Sequence, residues 1–356
     1  MRVLFTFYVP SGGVETLNRL RCESLQRSGI ECHVLYLRPG TGVQACTSFP
    51  VFITSLDREI KGILDTHQYD AIIVTSDFLL LERLRRLGYG GVLIYESQGL
   101  GKRSDAELII REAVPYLQAY CNAVLIPPTT HLLELFISIC PWLHRYIIPN
   151  IVDVQSFRPI PGEVPHDPVI AWVGRLESNK NWREYLQIAR QIRRSKPDLH
   201  LWMFHDPDLA TEEEREAFDI ELHASKQNDR LNVFTNIPNA QMPVYYSSIA
   251  ASGGFLLSTS ITEGFGYAVA EAICCGCPVL STDSDGVRSF IVHNASGKFY
   301  PLGNIEAAAA EGLELMDNLP LRQTIQTQGR AHMEASFGAE RYANSFREML
   351  NSFAIF

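Results

Sequence analysis

Apolar residues recur along this chain in two alternating patterns. Continuous runs rich in β-branched and aromatic residues predict buried strands of a mostly parallel sheet, and in residues 1–150 these runs are "RVLFTFYV", "CHVLYL", "AIIVTS", "GVLIYES" and "AVLIPP". Between them, "VETLNRLRCESLQRSG" and "DFLLLERLRRLG" carry apolar residues at helical spacing and end at a glycine, which predicts helices. The alternation indicates an α/β domain.

The same alternation starts again after residue 150. The runs "PVIAWVG", "LHLWMF", "LNVFTN", "ASGGFLLST" and "CPVLST" predict a second set of strands, separated by helical patterns such as "WREYLQIARQIRRS" and "EEEREAFDIELHAS". Segment 147–168 carries five prolines and little periodicity, which predicts a linker. The predicted fold class is therefore α/β with two doubly wound, Rossmann-like domains, residues 1–150 and 151–335, followed by an amphipathic helix in 336–356.

Composition and charge argue against several classes of function. The chain has 356 residues, a net charge of −9 and no basic stripe, so nucleic acid is not expected as a partner. No apolar run has the length of a membrane span, and the N-terminal "MRVLFTFYVPSGG" predicts a buried strand rather than a signal peptide. The eight cysteines lie mostly in apolar runs, as expected for free thiols of a cytoplasmic protein. Cys274, Cys275 and Cys277 have no second Cys/His pair at ligand spacing, so no metal site is expected there.

The stretch "TEGFGYAVAE" (262–271) joins a predicted strand to a predicted helix. Gly264 and Gly266 let backbone N–H groups approach an anion, which a helix N-terminus also favours. Glu263 is expected to project from the turn, and Glu271 lies about two helical turns further on. Because carboxylates repel phosphate, the two are better suited to accept hydrogen bonds from hydroxyl groups on either side of it, as in a nucleotide-sugar site. The alternative is a helix-capping Glu263 and an ordinary helical Glu271.

A second candidate for anion binding is "WVGRLESNKNW" (172–182). A predicted strand ends at Gly174, and Arg175 and Lys180 follow in a loop before a helix. Arginine can bind a phosphate through two N–H groups, and lysine adds a point charge. The alternative is two solvated basic residues in a loop.

Together these stretches resemble the GT-B glycosyltransferases, specifically the large retaining family four. That family's V-G-R-(x)4-K loop matches Val173-Gly174-Arg175 with Lys180, and its Glu-x7-Glu motif matches Glu263 with Glu271. Supporting matches are Gly12-Gly13-Val14-Glu15, which alone would be weak, "IIPNIVDVQSFRP" and "CCGCPVLSTDSDG". The resemblance covers most of the chain. It implies GT-B architecture, with two Rossmann-like domains facing across a cleft and a final helix that crosses back to the N-terminal domain.

The resemblance also implies roles for the matching residues. Arg175 and Lys180 would hold the diphosphate of the sugar donor and Glu263 would meet the sugar, which makes these three the candidate catalytic residues. Glu271 would accept hydrogen bonds from the ribose hydroxyls, and "FTNIPNA" (234–240) would lie against the base. The other candidate donor-binding residues are Gly12, Gly13, Gly174, Asn236, Ile237, Gly264, Phe265, Gly266 and Tyr267. No cofactor and no metal are expected, because basic side chains and a helix terminus would take up the charge of the leaving group. Asp283-Ser284-Asp285 is interpreted as a loop.

The sequence departs from the family pattern at several positions. Gln98 stands where many relatives have a histidine, and glutamine can donate a hydrogen bond but cannot carry a proton charge. Glu96 nearby is either an acceptor-site carboxylate or a buried, paired structural one; with Glu15 and Gln98 it forms the candidate acceptor-side set. Other differences from the family are Asn236 for glycine, Ile151 for glycine and Ser289 for glutamate.

The function implied is transfer of a hexose-type sugar from a nucleotide-diphosphate sugar to an acceptor hydroxyl, with retention of anomeric configuration. A UDP-sugar is favoured over a GDP-sugar on family frequency. The acceptor is an unknown glycan, lipid-linked or small molecule, contacted by loops such as 38–50 and 99–105. Arg83, Arg85 and Arg86 form a basic face, interpreted as a solvated helix face that allows at most peripheral membrane contact. Two alternatives stay open: a catalytically silent nucleotide-sugar-binding subunit, and a sugar-nucleotide epimerase on the same fold.

Overall fold

The computed structural model describes residues 1–40, 48–224 and 230–353. The chain forms two compact units. The first comprises Met1–Val152 and Ser336–Phe356, and the second comprises Asp153–Ala335. Each unit is built on its own parallel sheet.

The sheet of the first unit has seven parallel strands in the order β3-β2-β1-β4-β5-β6-β7. Its strands are β1 (Arg2–Phe7), β2 (Glu31–Tyr36), β3 (Val51–Ile53), β4 (Ala71–Thr75), β5 (Val92–Glu96), β6 (Ala123–Ile126) and β7 (Arg145–Ile147). Its first helices are α1 (Gly12–Arg27), α2 (Asp57–His67), α3 (Phe78–Arg86), α4 (Arg103–Tyr120) and α5 (Thr130–Ile139). Every residue of β4 is buried, because helices cover both faces of a parallel sheet.

The sheet of the second unit has six parallel strands in the order β10-β9-β8-β11-β12-β13. Its strands are β8 (Val169–Val173), β9 (His200–His205), β10 (Leu231–Thr235), β11 (Phe255–Ser258), β12 (Val279–Thr282) and β13 (Lys298–Tyr300). Its helices are α6 (Trp182–Arg193), α7 (Glu212–Ala224), α8 (Met242–Ala251), α9 (Tyr267–Cys274), α10 (Ile305–Asp317) and α11 (Leu319–Phe337), of which the last continues into the first unit. Helix α6 buries Trp182, Tyr185, Leu186, Ala189 and Ile192, whose spacing places them on one face.

The last helix, α12 (Ala339–Asn351), packs against α1 within the first unit. The hydroxyl of Ser24 donates to the backbone oxygen of Ala339 over 2.7 Å, and Arg347 donates to the backbone oxygen of Ser28 over 2.7 Å. Of the apolar C-terminal end of the chain, residues 354–356 lie outside the described residues.

The structure adds three strands to those predicted from the sequence: β3, β7 and β13. Each has only three residues, too short for a periodic pattern, and each is formed by pairing with a longer neighbour. Residues 148–168 contain no helix or strand, as predicted for the linker. Of the predicted acceptor loop 38–50, residues 41–47 lie outside the described residues. In the described part of the chain, no helix combines the length and the apolarity that crossing a bilayer requires.

Candidate functional site

The candidate site of the second unit lies where the strand order of its sheet reverses. Strands β8 and β11 are neighbours, while β9 continues the sheet on one side and β12 on the other. In open α/β sheets, ligands bind beyond the carboxyl ends of the strands at such a point. The loop 174–181 after β8 and the loop 259–266 after β11 begin there. These are the two loops selected from the sequence.

An ion pair between Lys180 and Glu263 joins the two loops. The Nζ atom of Lys180 lies 2.5 Å from Oε1 of Glu263, with side-chain exposures of 21% and 11%. The hydroxyl of Ser260 donates to the same carboxylate oxygen over 2.6 Å. The pair therefore places a cation and an anion together at the carboxyl ends of β8 and β11. Because both side chains are partly buried, their charges interact with each other and with a ligand more strongly than they would in water.

Further hydrogen bonds fix the relative position of the two loops. The side-chain oxygen of Asn179 accepts from the hydroxyl of Thr262 over 2.9 Å, and the side-chain nitrogen of Asn179 donates to the backbone oxygen of Thr262 over 3.0 Å. The hydroxyl of Thr259 donates to the backbone oxygens of Lys180 and Asn181 over 2.9 and 3.0 Å. Asn179 and Thr259 are positioning residues that the sequence analysis did not single out, because their partners lie far away along the chain.

Arg175 and Gly174 lie at the start of the first loop. Arg175 is exposed, and its guanidinium lies 3.2 Å from the carboxylate of Glu177. A Cβ atom at Gly174 would lie 2.9 Å from the ring of Trp172 and 3.3 Å from Cβ of Lys180, so a larger residue would press on both. The missing side chain at Gly174 thus leaves room for the Lys180 side chain beside the end of β8.

The turn 264–266 leads directly into α9. Gly266 precedes the helix with φ of +88°, a left-handed conformation that glycine adopts without strain. The side chain of Phe265 is buried against the rings of Tyr267 and Phe290, with ring centroids 4.8 and 5.3 Å apart. Phe265 therefore anchors the turn through its side chain.

Gly286, in the loop after β12, supports this turn from the other side. A Cβ atom there would lie 2.3 Å from the backbone oxygen of Glu263 and 2.7 Å from the carbonyl carbon of Gly264. Only glycine permits this approach. Gly286 belongs to the quoted motif "CCGCPVLSTDSDG", but its contact with the Glu263 turn could not be derived from the sequence.

Glu271 lies within α9 and is 5% exposed. Its Oε1 atom accepts a hydrogen bond from Nδ2 of Asn239 over 3.2 Å. Asn239 follows β10 in the segment 234–240, so the structure brings the predicted base-side segment to the predicted ribose carboxylate. Asn236 has φ of +54°, a left-handed conformation that asparagine tolerates better than most residues other than glycine. Ile237 is half-buried in the same segment.

In the first unit, Gly12 and Gly13 begin α1, and Gly12 has φ of +65°. Glu15, in the first turn of α1, is 8% exposed, and its carboxylate lies 3.7 Å from Nε of Arg19. Gly12, Gly13 and Glu15 belong to the first unit and stay candidates on sequence grounds.

Glu96 is buried at the end of β5, where Arg21 donates to its two carboxylate oxygens over 2.7 and 2.9 Å. The hydroxyl of Thr75 donates to Oε2 over 2.6 Å. Of the two interpretations left open by the sequence, this geometry is that of the paired structural carboxylate. Gln98 forms a reciprocal amide pair with Asn150, over 2.9 and 3.0 Å, so its amide is used within the first unit.

The basic face of α3 takes part in internal contacts. Nε of Arg83 lies 2.7 Å from the carboxylate of Asp57, and Arg86 also approaches Asp57, at 3.5 Å. The guanidinium of Arg85 donates to backbone oxygens, including that of Gly91 over 2.7 Å. Arg83 and Arg85 therefore hold other segments of the first unit in place, while the side chain of Arg86 is exposed, so the three do not form a continuous solvated face.

Asp283 and Asp285 both bind Arg288, at 2.6 and 3.0 Å, in the loop that the sequence predicted. Cys274 and Cys277 are buried, and burial raises the pKa of each thiol to about 12. In residues 1–40, 48–224 and 230–353, no three His, Cys, Asp or Glu side chains form a group that could hold a metal ion.

Solved structures of similar fold cover nearly all of the chain. Anabaena Alr3699/HepE, solved in complex with UDP-glucose, has a TM-score of 0.83 at 16% identity and covers 99% of this chain and 100% of its own. Sucrose-phosphate synthase from Thermosynechococcus elongatus has a TM-score of 0.79 at 15% identity, covering 99% of each chain. These similarities confirm the predicted fold class, the GT-B architecture of two Rossmann-like domains.

Sequence comparison identifies relatives that match somewhat more than half of the chain. The chain is 26% identical over 222 residues to D-inositol 3-phosphate glycosyltransferase from Paenarthrobacter aurescens, which is 59% of this chain and 53% of that protein. It is 24% identical over 221 residues to a GDP-mannose-dependent monoacylated alpha-(1-6)-phosphatidylinositol monomannoside mannosyltransferase from Corynebacterium glutamicum, 58% and 55% of the two chains. The chain thus spans about half the length of the curated relatives it matches. The model of the family "Glycosyl transferases group 1" matches residues 153–332, just over half of the chain, and this protein belongs to that family.

Proposed function

We propose that this protein is a retaining glycosyltransferase that transfers a hexose-type sugar from a nucleotide-diphosphate sugar to an acceptor hydroxyl. The observation that carries the proposal is the pairing of both motif glutamates with side chains of neighbouring loops, Glu263 with Lys180 and Glu271 with Asn239. Carboxylates and a cation at the carboxyl ends of adjacent strands provide acceptors for hydroxyl groups and a counter-charge for phosphate.

Each side chain has a role in this proposal. Lys180 and Arg175 bind the diphosphate, and the N-terminus of α9 adds its positive dipole end. Glu263 accepts hydrogen bonds from the sugar, and Glu271 accepts them from the ribose. The ammonium of Lys180 also lies against Glu263, so it would be shared between the diphosphate and this carboxylate.

The reaction proposed is front-face substitution at the anomeric carbon. The acceptor oxygen forms a bond to this carbon while the bond to the diphosphate oxygen breaks and its electron pair leaves with the phosphate. The acceptor proton passes to the departing diphosphate. The enzyme's task is then to stabilise negative charge on the leaving group, for which Lys180, Arg175 and the helix N-terminus are suited without a metal ion.

A UDP-sugar is proposed as the sugar donor. Family frequency favours it, and a neighbour in fold, Anabaena Alr3699/HepE, has been solved with UDP-glucose. Sugar acceptors remain a broad class: a glycan, a lipid-linked acceptor or a small molecule with a hydroxyl group.

The test is incubation with a panel of UDP-, GDP- and ADP-sugars in chelator, following thermal stabilisation and release of nucleoside diphosphate. We expect one sugar donor to raise the unfolding temperature and to be hydrolysed slowly. Anomeric analysis of the product then tests retention. Binding without release, even with a broad acceptor panel, would favour the silent binding subunit, and a change in the sugar's own configuration would favour the epimerase. No stabilisation by any of the donors would overturn the site assignment.

A further inference from the structure

The side chain of Asn239 covers the buried carboxylate of Glu271. Glu271 is 5% exposed, whereas Asn239 is exposed, so the amide lies on the solvent side of the pair. A carboxylate accepts hydrogen bonds and cannot donate them, so within the Asn239 amide it is the Nδ2 group that donates to Glu271 Oε1, at 3.2 Å. Aspartate at position 239 would place a second negative charge at this distance.

The backbone around Asn239 is held in place. Pro238 precedes it, and a single 3₁₀ turn, Asn239–Gln241, follows with a bond of 2.8 Å from the Gln241 N–H to the Pro238 oxygen. Pro243 lies in the first turn of α8, and its oxygen accepts from the hydroxyl of Ser247 over 2.7 Å. The amide of Asn239 is therefore presented from a rigid segment.

Helix α8, which packs against α9, carries a buried phenol. Tyr246 is completely buried, and its hydroxyl has no hydrogen-bond partner among the described residues. Burial first, and then the negative charge of Glu271, raise the pKa of Tyr246 well above its usual value. Glu271 is thus a buried carboxylate on a helix that packs against α8, and its hydrogen bonds, including the one from Asn239, fix its orientation.

We propose that Asn239 is a positioning residue for the sugar donor: its amide orients the Glu271 carboxylate toward a ribose hydroxyl and so favours ribonucleotides over deoxyribonucleotides. This inference rests on the proposed function, in which Glu271 meets the ribose. It goes further by assigning the ribose preference to a residue outside the two-glutamate motif.

The test combines protein variants with ribose analogues. Isothermal titration first identifies which of UDP, GDP and ADP binds the wild-type protein, and the 2′-deoxy and 3′-deoxy forms of that nucleotide are then titrated against wild type, Asn239→Ala and Asn239→Asp. In the wild type, loss of the contacted hydroxyl should weaken binding about tenfold, the scale of a hydrogen bond to a charged group. In Asn239→Ala the same loss should cost clearly less, since Glu271 loses the Nδ2 hydrogen bond that helps to orient it.

A pH series gives a second readout. In Asn239→Asp the introduced carboxylate repels Glu271, so nucleotide binding should weaken at pH 7.5 and recover toward pH 5.5, where the two carboxylates share a proton. Asn239→Ala should not show this recovery. Asn232→Ala, an exposed asparagine on β10, is the matched control and should behave as wild type.

The outcomes distinguish failure of the positioning role of Asn239 from failure of the proposed function. The positioning role would be overturned if removing either ribose hydroxyl cost the wild type and Asn239→Ala the same affinity, and if nucleotide binding by Asn239→Asp did not recover at low pH. The proposed function would then remain intact. A wild-type protein that binds none of the three nucleotides would overturn both. Thermal unfolding of each variant verifies that the exposed substitutions leave the fold unchanged.

Discussion

Lys180 and Glu263 form a 2.5 Å ion pair across two loops that are separated by 83 residues of chain. Each side chain comes from the carboxyl end of a different strand, and the strands are neighbours at the point where the sheet reverses its order. The pair holds a positive and a negative group in the place where a diphosphate and a sugar are proposed to bind. Its removal should therefore affect function more than folding.

We expect Lys180→Ala and Glu263→Ala each to reduce kcat/KM for transfer at least about 100-fold, the scale of losing one stabilising contact to a transition-state charge. Assays of transfer, or of hydrolysis if no acceptor is known, measure this. Glu263→Gln keeps the shape and an acceptor oxygen, so its comparison with Glu263→Ala isolates the charge. Transfer near the wild-type rate in the two alanine variants, with the unfolding temperature preserved, would rule out the assigned roles.

The buried ion pair of Arg21 and Glu96 leads to a prediction about stability. Arg21 is 0% exposed and Glu96 is 2% exposed, so removing one partner leaves an uncompensated charge in the core. Arg21→Ala should lower the free energy of unfolding by about 3–5 kcal/mol, measured by urea denaturation. Lys61→Ala, which breaks the exposed pair with Asp65, is the control and should be close to neutral. A small effect at Arg21 would mean that water reaches Glu96.

The same pair predicts non-additivity. Replacing Arg21 and Glu96 together by methionine and leucine removes both charges at once, so the double variant should be destabilised by clearly less than the sum of the single changes. A double-mutant cycle in urea measures this coupling. Simple additivity would show that the two side chains do not stabilise one another.

Protonation of His33 should lower the stability of the folded protein in mild acid. Its ring is buried, with Nδ1 2.7 Å from the hydroxyl of Tyr69 and Nε2 3.1 Å from Glu31, and the ring of His67 packs beside it. Burial first, and then the charge of His67, lower the pKa of His33 below 6.5, against the opposing effect of Glu31. As the pH falls, the unfolded chain therefore binds the proton first. The contribution of neutral His33 to the free energy of unfolding is complete above about pH 6.5 and falls as the pH drops toward the lower pKa of the folded state.

Thermal unfolding between pH 7.5 and 5.5 checks this contribution. His33→Gln removes the titrating group, so its unfolding temperature should fall less steeply with acid than that of the wild type, although it starts lower. Parallel pH profiles for the two proteins would contradict the assignment to His33.

The turn at Glu263 should require a residue without a side chain at position 286. Since a Cβ atom there would lie 2.3 Å from the backbone oxygen of Glu263, Gly286→Ala should displace the turn and weaken binding of the sugar donor. Titration with a nucleotide-sugar measures the effect. Gly62→Ala is the control: Gly62 lies inside α2 with no atom within 4 Å of the added methyl group, so it should be neutral or stabilising by up to about 1 kcal/mol. Equal binding by both variants would contradict the contact.

The longer strands and helices were predictable because their apolar spacing is a local property of the chain. Strands β4 and β8, helix α6 and the linker follow from periodicity and proline content alone. The three-residue strands β3, β7 and β13 were not predicted, since such edge strands depend on a neighbouring strand to pair with.

The fold class and the chemical groups of the candidate site could be predicted from the sequence, because they depend on residue type and on spacing along the chain. How those groups are used depends on packing between distant parts of the chain. Glu96 is an internal ion-pair partner because Arg21, 75 residues earlier in the chain, lies beside it, and Asn239 reaches Glu271 because two helices and a 3₁₀ turn bring them together. Such contacts join residues far apart in the chain, and no local pattern encodes the distance between two side chains that only the packed sheet brings together.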